Sequence, residues 1–306
     1  MSTYIPSTEL TKARQVAAFL NRPLLLAGEP GTGKTTFAEH IAETEGKDLF
    51  VFNTKSVSQA QDLFYTYDAV AHFAEKEKSA IEFITLQALG KAIVNAIGVD
   101  EVKRRLLNEE TFNHQLFVLR KTKNCKAIVD GFLADCCGRA AVVLIDEIDK
   151  APRDFPNDIL NEIERLHFTI RELGLDFRLE KDDKIKKDKI FVLLTSNFEK
   201  NLPDAFLRRC MFFNIEFPDE KALVIIMQSH IPNIDTELLK KRIGEFQIIR
   251  KHDGISKRPA TSEFIDCIKW MIHSGSFDKE IKSDKEALIT LIKKNEDLKQ
   301  LLNTRN

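Results

Sequence analysis

The sequence predicts an α/β fold, a parallel sheet core followed by a C-terminal helical part. Three observations predict it. The runs Leu24-Leu25-Leu26-Ala27, Ala141-Val142-Val143-Leu144-Ile145 and Ile190-Phe191-Val192-Leu193-Leu194 are short and continuously apolar. Such runs mark strands buried on both faces, as in a parallel sheet. A glycine-rich segment, Gly28 to Thr35, stands between the first run and a helical stretch. From Lys221 onward, apolar residues recur at intervals of three and four with no strand pattern.

Taken in order, Ser7 to Asn21 forms an opening helix, with Leu10, Ala13, Ala17 and Leu20 at helical spacing. Pro23 starts the first strand. Residues 28–35 then read Gly-Glu-Pro-Gly-Thr-Gly-Lys-Thr, the pattern G-x-x-x-x-G-K-[ST] of a phosphate-binding loop. Thr36-Phe37-Ala38-Glu39-His40-Ile41-Ala42 continues as a helix, so the loop has the strand–loop–helix context it requires. The glycines let backbone N–H groups turn inward around phosphate oxygens, and the helix N-terminus adds its positive dipole end. Gly28, Glu29, Pro30, Gly31, Thr32, Gly33, Lys34, Thr35 and Thr36 are the candidate nucleotide-binding residues. Lys34 reaches the outer phosphates, and the Thr35 hydroxyl is placed for Mg²⁺.

Leu49-Phe50-Val51-Phe52 reads as a second strand. The stretch Asp62 to Tyr67 holds two of the chain's three tyrosines, aromatics that read as ordinary core packing. Residues 86–138 read as amphipathic helices, for example Leu89-Ala92-Ile93-Ala96-Ile97. Their basic runs, Lys103-Arg104-Arg105 and Arg120-Lys121-Thr122-Lys123, lack the interleaved aromatics of a base-stacking surface.

The strand Ala141–Ile145 delivers Asp146-Glu147 to its C-terminal end, where open α/β sheets place their ligands. Asp146 joins Thr35 as a candidate Mg²⁺ residue, and Glu147 is the candidate base that polarises water. Asn157 to Leu166 reads as a helix with Asn157 as its N-cap. His167–Ile170 and Leu175–Leu179 alternate around Gly174 and predict a β-hairpin. The mixed-sign run 181–189 reads as a solvated loop. Asn197 follows the strand 190–194 and carries both a donor amide and an acceptor, suited to orienting the attacking water or simply to a turn. Asn201 to Cys210 reads as a short helix ending in Arg208-Arg209, before a last strand, Met211-Phe212-Phe213-Asn214-Ile215. An arginine there serves either as a finger toward a neighbour's phosphate site or as part of a surface pair. Phe217-Pro218-Asp219 marks the passage to the helical part.

GEPGTGKT, VVLIDEIDKAPRDFPNDILNEIE, LLTSNFEKNLPDAFLRRC and KRPATSEFIDCIKW, in this order, resemble the MoxR-like AAA+ ATPases, as does TKSVSQAQDLFYTYDAVAHF. The resemblance covers residues 1–85 and 139–275. It implies a P-loop NTPase (AAA+) parallel sheet core with a C-terminal helical lid, divided at residues 1–217 and 218–306. It assigns Walker A to 28–35, Walker B to 141–147, sensor 1 to Asn197 and a trans-acting arginine finger to Arg209, with Arg208 as the alternative. The hairpin region 167–189 matches the family's hairpin before sensor 1, and the resemblance implies that the region of Asp62 to Tyr67 faces the ring channel or the substrate side. Two features depart from the pattern. Glu263 stands where a sensor-2 arginine is expected, with Arg258 a few residues earlier, and the gap between Lys34 and Asp146 is long, which makes 86–138 an insertion or an enlarged pair of helices.

The chain has 306 residues, 43% hydrophobic and 30% charged, with a formal net charge of −1. That length supports an ample core without staples, and the near-zero charge argues against a dedicated nucleic-acid coat. Cys125, Cys136, Cys137, Cys210 and Cys267 show no zinc spacing and read as free buried thiols of a reducing compartment. No stretch approaches the roughly 20 apolar residues of a membrane span, and Met1-Ser2-Thr3-Tyr4-Ile5-Pro6 does not read as a signal peptide. The expectation is a cytoplasmic ATPase using ATP and Mg²⁺. The resemblance implies a ring, usually a hexamer, that remodels a protein partner such as a von Willebrand A domain or an effector. Two alternatives are an ATP-gated scaffold with slow hydrolysis and a nucleic-acid-dependent motor.

Overall fold

A computed structural model describes residues 4–107, 114–179 and 187–303. Residues 108–113 of the expected helical stretch, 181–186 of the mixed-charge run and Met1-Ser2-Thr3 lie outside the described residues. The strands are β1 (Leu24–Gly28), β2 (Asp48–Asn53), β3 (Tyr65–Tyr67), β4 (Ile84–Leu86), β5 (Ala141–Asp146), β6 (His167–Ile170), β7 (Leu175–Arg178), β8 (Ile190–Ser196) and β9 (Met211–Ile215). The helices up to β9 are α1 (Thr8–Phe19), α2 (Lys34–Glu45), α3 (Ala69–Ala74), α4 (Ala88–Ile97), α5 (Val99–Leu107), α6 (His114–Lys121), α7 (Cys125–Phe132), α8 (Phe155–Asp158), α9 (Leu160–Arg165) and α10 (Asp204–Leu207). After β9 come α11 (Glu220–His230), α12 (Thr236–Arg250), α13 (Thr261–His273), α14 (Lys285–Leu291) and α15 (Asn295–Asn303).

Five strands form one sheet in the order β2-β5-β8-β1-β9. The pairs β1–β8, β2–β5 and β5–β8 are parallel. Burial follows position in the sheet. The three inner strands are buried almost throughout, whereas β2 and β9 at the edges are half-covered. This is why the inner strands read as unbroken apolar runs, each fully buried Leu or Ile contributing roughly 1.5–3 kcal/mol. The register pairs Ile145 with Leu194 and Leu25 with Leu194. Asp146 therefore leaves β5 beside the Thr195-Ser196 end of β8.

Two compact units divide the chain. The larger holds Pro6–Ala27 and Thr35–Asn214, and the smaller holds the described residues of Met1–Ile5, Gly28–Lys34 and Ile215–Asn306. In the larger unit, the Ser7 side chain caps α1 by accepting from the Leu10 N–H at 3.1 Å. β3 and β4 pair antiparallel, and β6 and β7 form a hairpin across Ile170↔Leu175. Tyr65 ties these two small sheets together, donating its hydroxyl to Glu172 at 2.9 Å. In the smaller unit, α11 to α15 enclose a separate apolar core in which the Phe246 and Phe264 rings stack at 4.3 Å.

Two local expectations are corrected. Helix α4 buries more than its one apolar face: every residue but Lys91 is buried, because it is in contact with β2, β5 and β7 as well as α5. Asn157 does not cap a helix. It lies inside α8, a four-residue turn carrying Pro156 near its start, and the chain bends at Ile159 before α9 begins.

Candidate functional site

The glycine loop belongs to the smaller unit. Gly31 and Gly33 take φ of 75° and 85°, left-handed values that glycine adopts without a Cβ penalty. A Cβ would also find no room: at Gly31 it falls 2.5 Å from Ala260 Cβ, and at Gly33 2.6 Å from the Tyr4 ring. Inside the loop the buried Lys34 ammonium donates to the carbonyls of Gly28 at 2.9 Å and Glu29 at 2.8 Å. The Thr32 hydroxyl donates to the Glu29 carbonyl at 2.9 Å. Pro30 is exposed. Burial pushes the Tyr4 phenol up to about 12.

A cation from the helical part meets this loop. Arg250, at the end of α12, is buried and donates through Nη2 to the Glu29 carboxylate and through Nη1 to the Pro259 carbonyl, the latter at 2.6 Å. Its guanidinium lies 3.6 Å from the centre of the Phe217 ring. The sequence reading missed Arg250, which is far from Glu29 in the chain and belongs to no motif. Arg258 makes none of these contacts to the loop, and Glu263 caps α13, its carboxylate accepting from the Ala260 N–H at 3.1 Å.

Thr35 is the first residue of this segment in the larger unit. Thr36 is exposed on the first turn of α2. The Thr35 hydroxyl lies 3.2 Å and 3.3 Å from the two Asp146 carboxylate oxygens. A hydroxyl and a carboxylate this close form a hard oxygen donor pair of the kind that suits Mg²⁺. Asp146 Oδ1 also accepts from the Thr195 hydroxyl at 2.5 Å, and Thr195 Oγ1 in turn accepts from the Glu147 N–H at 2.8 Å. One threonine from β8 thus orders both carboxylate residues of β5.

Glu147 takes a left-handed backbone, φ 54° and ψ 51°, as the strand ends. Its Oε1 accepts from the Asn197 amide at 2.9 Å, and its Oε2 is paired with the Lys150 ammonium. That hydrogen bond raises the Lys150 pKa above the usual lysine value. The Asn197 N–H donates to Asp149 at 3.0 Å. The structure therefore brings Thr35, Asp146, Glu147 and Asn197 into one connected network, with Thr195, Asp149 and Lys150 as members the sequence reading did not single out.

Arg209 lies elsewhere. It follows α10 and precedes β9, whose first N–H, from Met211, bonds to the Pro23 carbonyl at 2.8 Å, at the start of β1. That is the opposite end of the sheet from Asp146. Arg209 Nε pairs with Glu164 at 3.3 Å, both side chains being about half-exposed. Along with Arg22, Ile163, Phe206 and Cys210, it lines a cleft of about 160 Å³. Arg208 is exposed beside it.

The sheet order, the glycine loop after β1 and the carboxylates after β5 define an α/β protein of the P-loop NTPase class. The family model for the ATPase family associated with various cellular activities (AAA) matches residues 24–219. The chain belongs to this family.

Proposed function

We propose that the chain is a Mg²⁺-dependent ATPase of the MoxR-like branch that works as a ring and remodels a protein partner. The observation that carries the hydrolytic part is the Thr35–Asp146–Thr195–Glu147–Asn197 network at the end of the parallel sheet. Lys34 faces the outer phosphates of ATP. Thr35 and Asp146 hold Mg²⁺, which when bound neutralises charge on the transferring phosphoryl group. Glu147 takes the proton of the attacking water, and Asn197 orients that water against the carboxylate. Arg209, at the far end of the sheet, serves the phosphates of an adjacent copy. A head-to-tail contact of this kind closes into a ring when the rotation permits. In this reading, residues 1–217 are the ATPase core, 86–138 its insertion and 218–306 the lid.

Glu147→Gln tests the assignment. The amide keeps the shape and loses the base, so this variant binds a fluorescent ATP analogue normally while turnover falls roughly 10²–10⁴-fold. Wild-type turnover in this variant moves the base elsewhere.

A second reading, an ATP-gated scaffold with slow hydrolysis, is favoured by one contact. Both Glu147 carboxylate oxygens are engaged, one by Asn197 and one by Lys150, so the base rests in an ion pair with the ammonium. Lys150→Met separates the readings: a severalfold rise in basal ATPase supports the gated scaffold, and a fall supports Lys150 as a support of the base. The nucleic-acid reading finds no favouring contact among the described residues. Arg104 and Arg105 pair with Glu101, and Lys103 pairs with Asp130.

A further inference from the structure

Asp149 lies two residues beyond Glu147, on the single helical turn Ile148–Lys150 that follows β5. It is a charged residue only 2% exposed. Burying a carboxylate requires partners, and those partners identify its task. Asp149 Oδ2 accepts two backbone N–H groups from the segment after β8, Asn197 at 3.0 Å and Glu199 at 2.8 Å. Between them Phe198 takes φ 61°, the left-handed region, and its side chain is left 58% exposed. A left-handed residue flanked by inward N–H groups makes a concave nest for an anion. Here the anion comes from the protein itself. The Phe198 N–H turns aside to the Ser196 hydroxyl at 3.2 Å. Nothing about Phe198 as a residue favours that backbone, and its ring gains little burial from it. The carboxylate is what holds the turn.

The turn held this way carries Asn197. Its N–H is fixed by Asp149 and its side-chain amide reaches Glu147 Oε1 at 2.9 Å. Glu147 and Asp149 are on one turn of the β5 side, so Asn197 is gripped twice by the same short segment, once through its backbone and once through its side chain. We propose that Asp149 is a positioning residue for hydrolysis, acting by setting Asn197 against Glu147. The inference rests on the reading of Glu147 and Asn197 as hydrolytic residues. Asp149 touches neither phosphate nor water in this assignment. Its Oδ1 is buried with no hydrogen-bond partner among the described residues, so its work is done by the other oxygen, on the β8 turn.

The experiment uses the full chain and compares Asp149→Ala, Asp149→Asn, Asn197→Ala and the double variant Asp149→Ala/Asn197→Ala, with Glu147→Gln as the control. Three quantities are read: kcat, affinity for a fluorescent ATP analogue, and hydrogen exchange of peptides covering 195–200. Misplacing a reacting group by about 1 Å costs on the order of 10²-fold in rate. Asp149→Ala is expected to lose kcat on that scale with analogue affinity unchanged, and to lose exchange protection at 197–199. Asp149→Asn keeps one acceptor and is milder. The double variant is no slower than Asn197→Ala, because Asp149 acts through Asn197. Wild-type kcat in Asp149→Ala, or losses that multiply in the double variant, overturn the inference while leaving the proposed function standing. Wild-type kcat in Glu147→Gln and Asn197→Ala overturns the proposed function instead. If Asp149→Ala does not fold, Asp149→Leu, which fills the buried site without an acceptor, carries the test, and a wild-type kcat there overturns the inference.

Discussion

Lys34 is a cation folded onto the carbonyls of Gly28 and Glu29, which places its ammonium within the loop proposed to cradle phosphate. Charge-assisted hydrogen bonds contribute about 1.5–3 kcal/mol each. Lys34→Ala should therefore weaken binding of a fluorescent ATP analogue roughly 10–100-fold. Unchanged affinity in that titration removes the phosphate-loop assignment. At this scale the sequence was informative wherever the chemistry was local. Gly28 to Thr35 is one contiguous run, and Asp146-Glu147 follow one strand. Thr195, Asp149 and Arg250 escaped because their roles depend on segments distant in the chain coming together. Thr195 means nothing until β8 lies beside β5, and an Asp after Glu147 reads as a solvated turn until its burial is known. Arg250 yields a prediction of its own. Removing the Glu29 carboxylate leaves a buried guanidinium with a carbonyl and a ring as its neighbours. Glu29→Ala should cost about 1–3 kcal/mol, seen as a lower Tm; an unchanged Tm means that water replaces the carboxylate.

Elements were legible in proportion to how plainly their burial pattern shows. β1, β5 and β8 are buried on both faces and appear as apolar runs. Helix α4 carries the same kind of residues at helical spacing, and spacing alone does not say that its polar gaps, Gly90 and Asn95, are buried too. Asn95 is accommodated by accepting from the Gly138 N–H at 3.2 Å. The cysteines show the same limit. All five read as buried, yet Cys137 is exposed and Cys125 only half-buried, while Cys136, Cys210 and Cys267 are buried. The segment joining α7 to β5 has no periodicity to assign neighbouring side chains to opposite sides. Burial pushes the thiols of Cys136, Cys210 and Cys267 up to about 12, and the thiolate is the reactive form. A thiol reagent at pH 8 should then modify Cys137 first and leave those three intact in the folded protein. Mass analysis of the labelled peptides checks the order, and early labelling of Cys267 contradicts the packed core of the smaller unit.

For the molecule as a whole, those same thiols set a limit at alkaline pH. Their folded values lie above the ordinary 9.0, so the folded state keeps protons that the unfolded chain releases. Their contribution is fully present below pH 9 and is lost as pH rises toward 12. Thermal unfolding followed across that window should show Tm falling, and less steeply in a Cys267→Ala variant. The assembly claim is tested at this scale too, through Arg209. Its place at the opposite end of the sheet from Asp146, half-exposed against Glu164, means that a role in hydrolysis requires a second copy. Arg209→Ala should bind ATP normally yet hydrolyse it poorly, a finger being worth roughly 10³–10⁵ in rate where GTPases have been measured. Mixing decides the matter. Subunits with Lys34→Ala have a finger but no working loop, and subunits with Arg209→Ala have a loop but no finger. Where the two meet, an intact loop faces an intact finger, so the mixture should regain ATPase activity that neither variant shows alone. If both variants fold and co-assemble but no activity returns, Arg209 does not act in trans. Arg208→Ala run beside them separates the neighbouring arginines, since it should be the milder change when Arg209 is the finger.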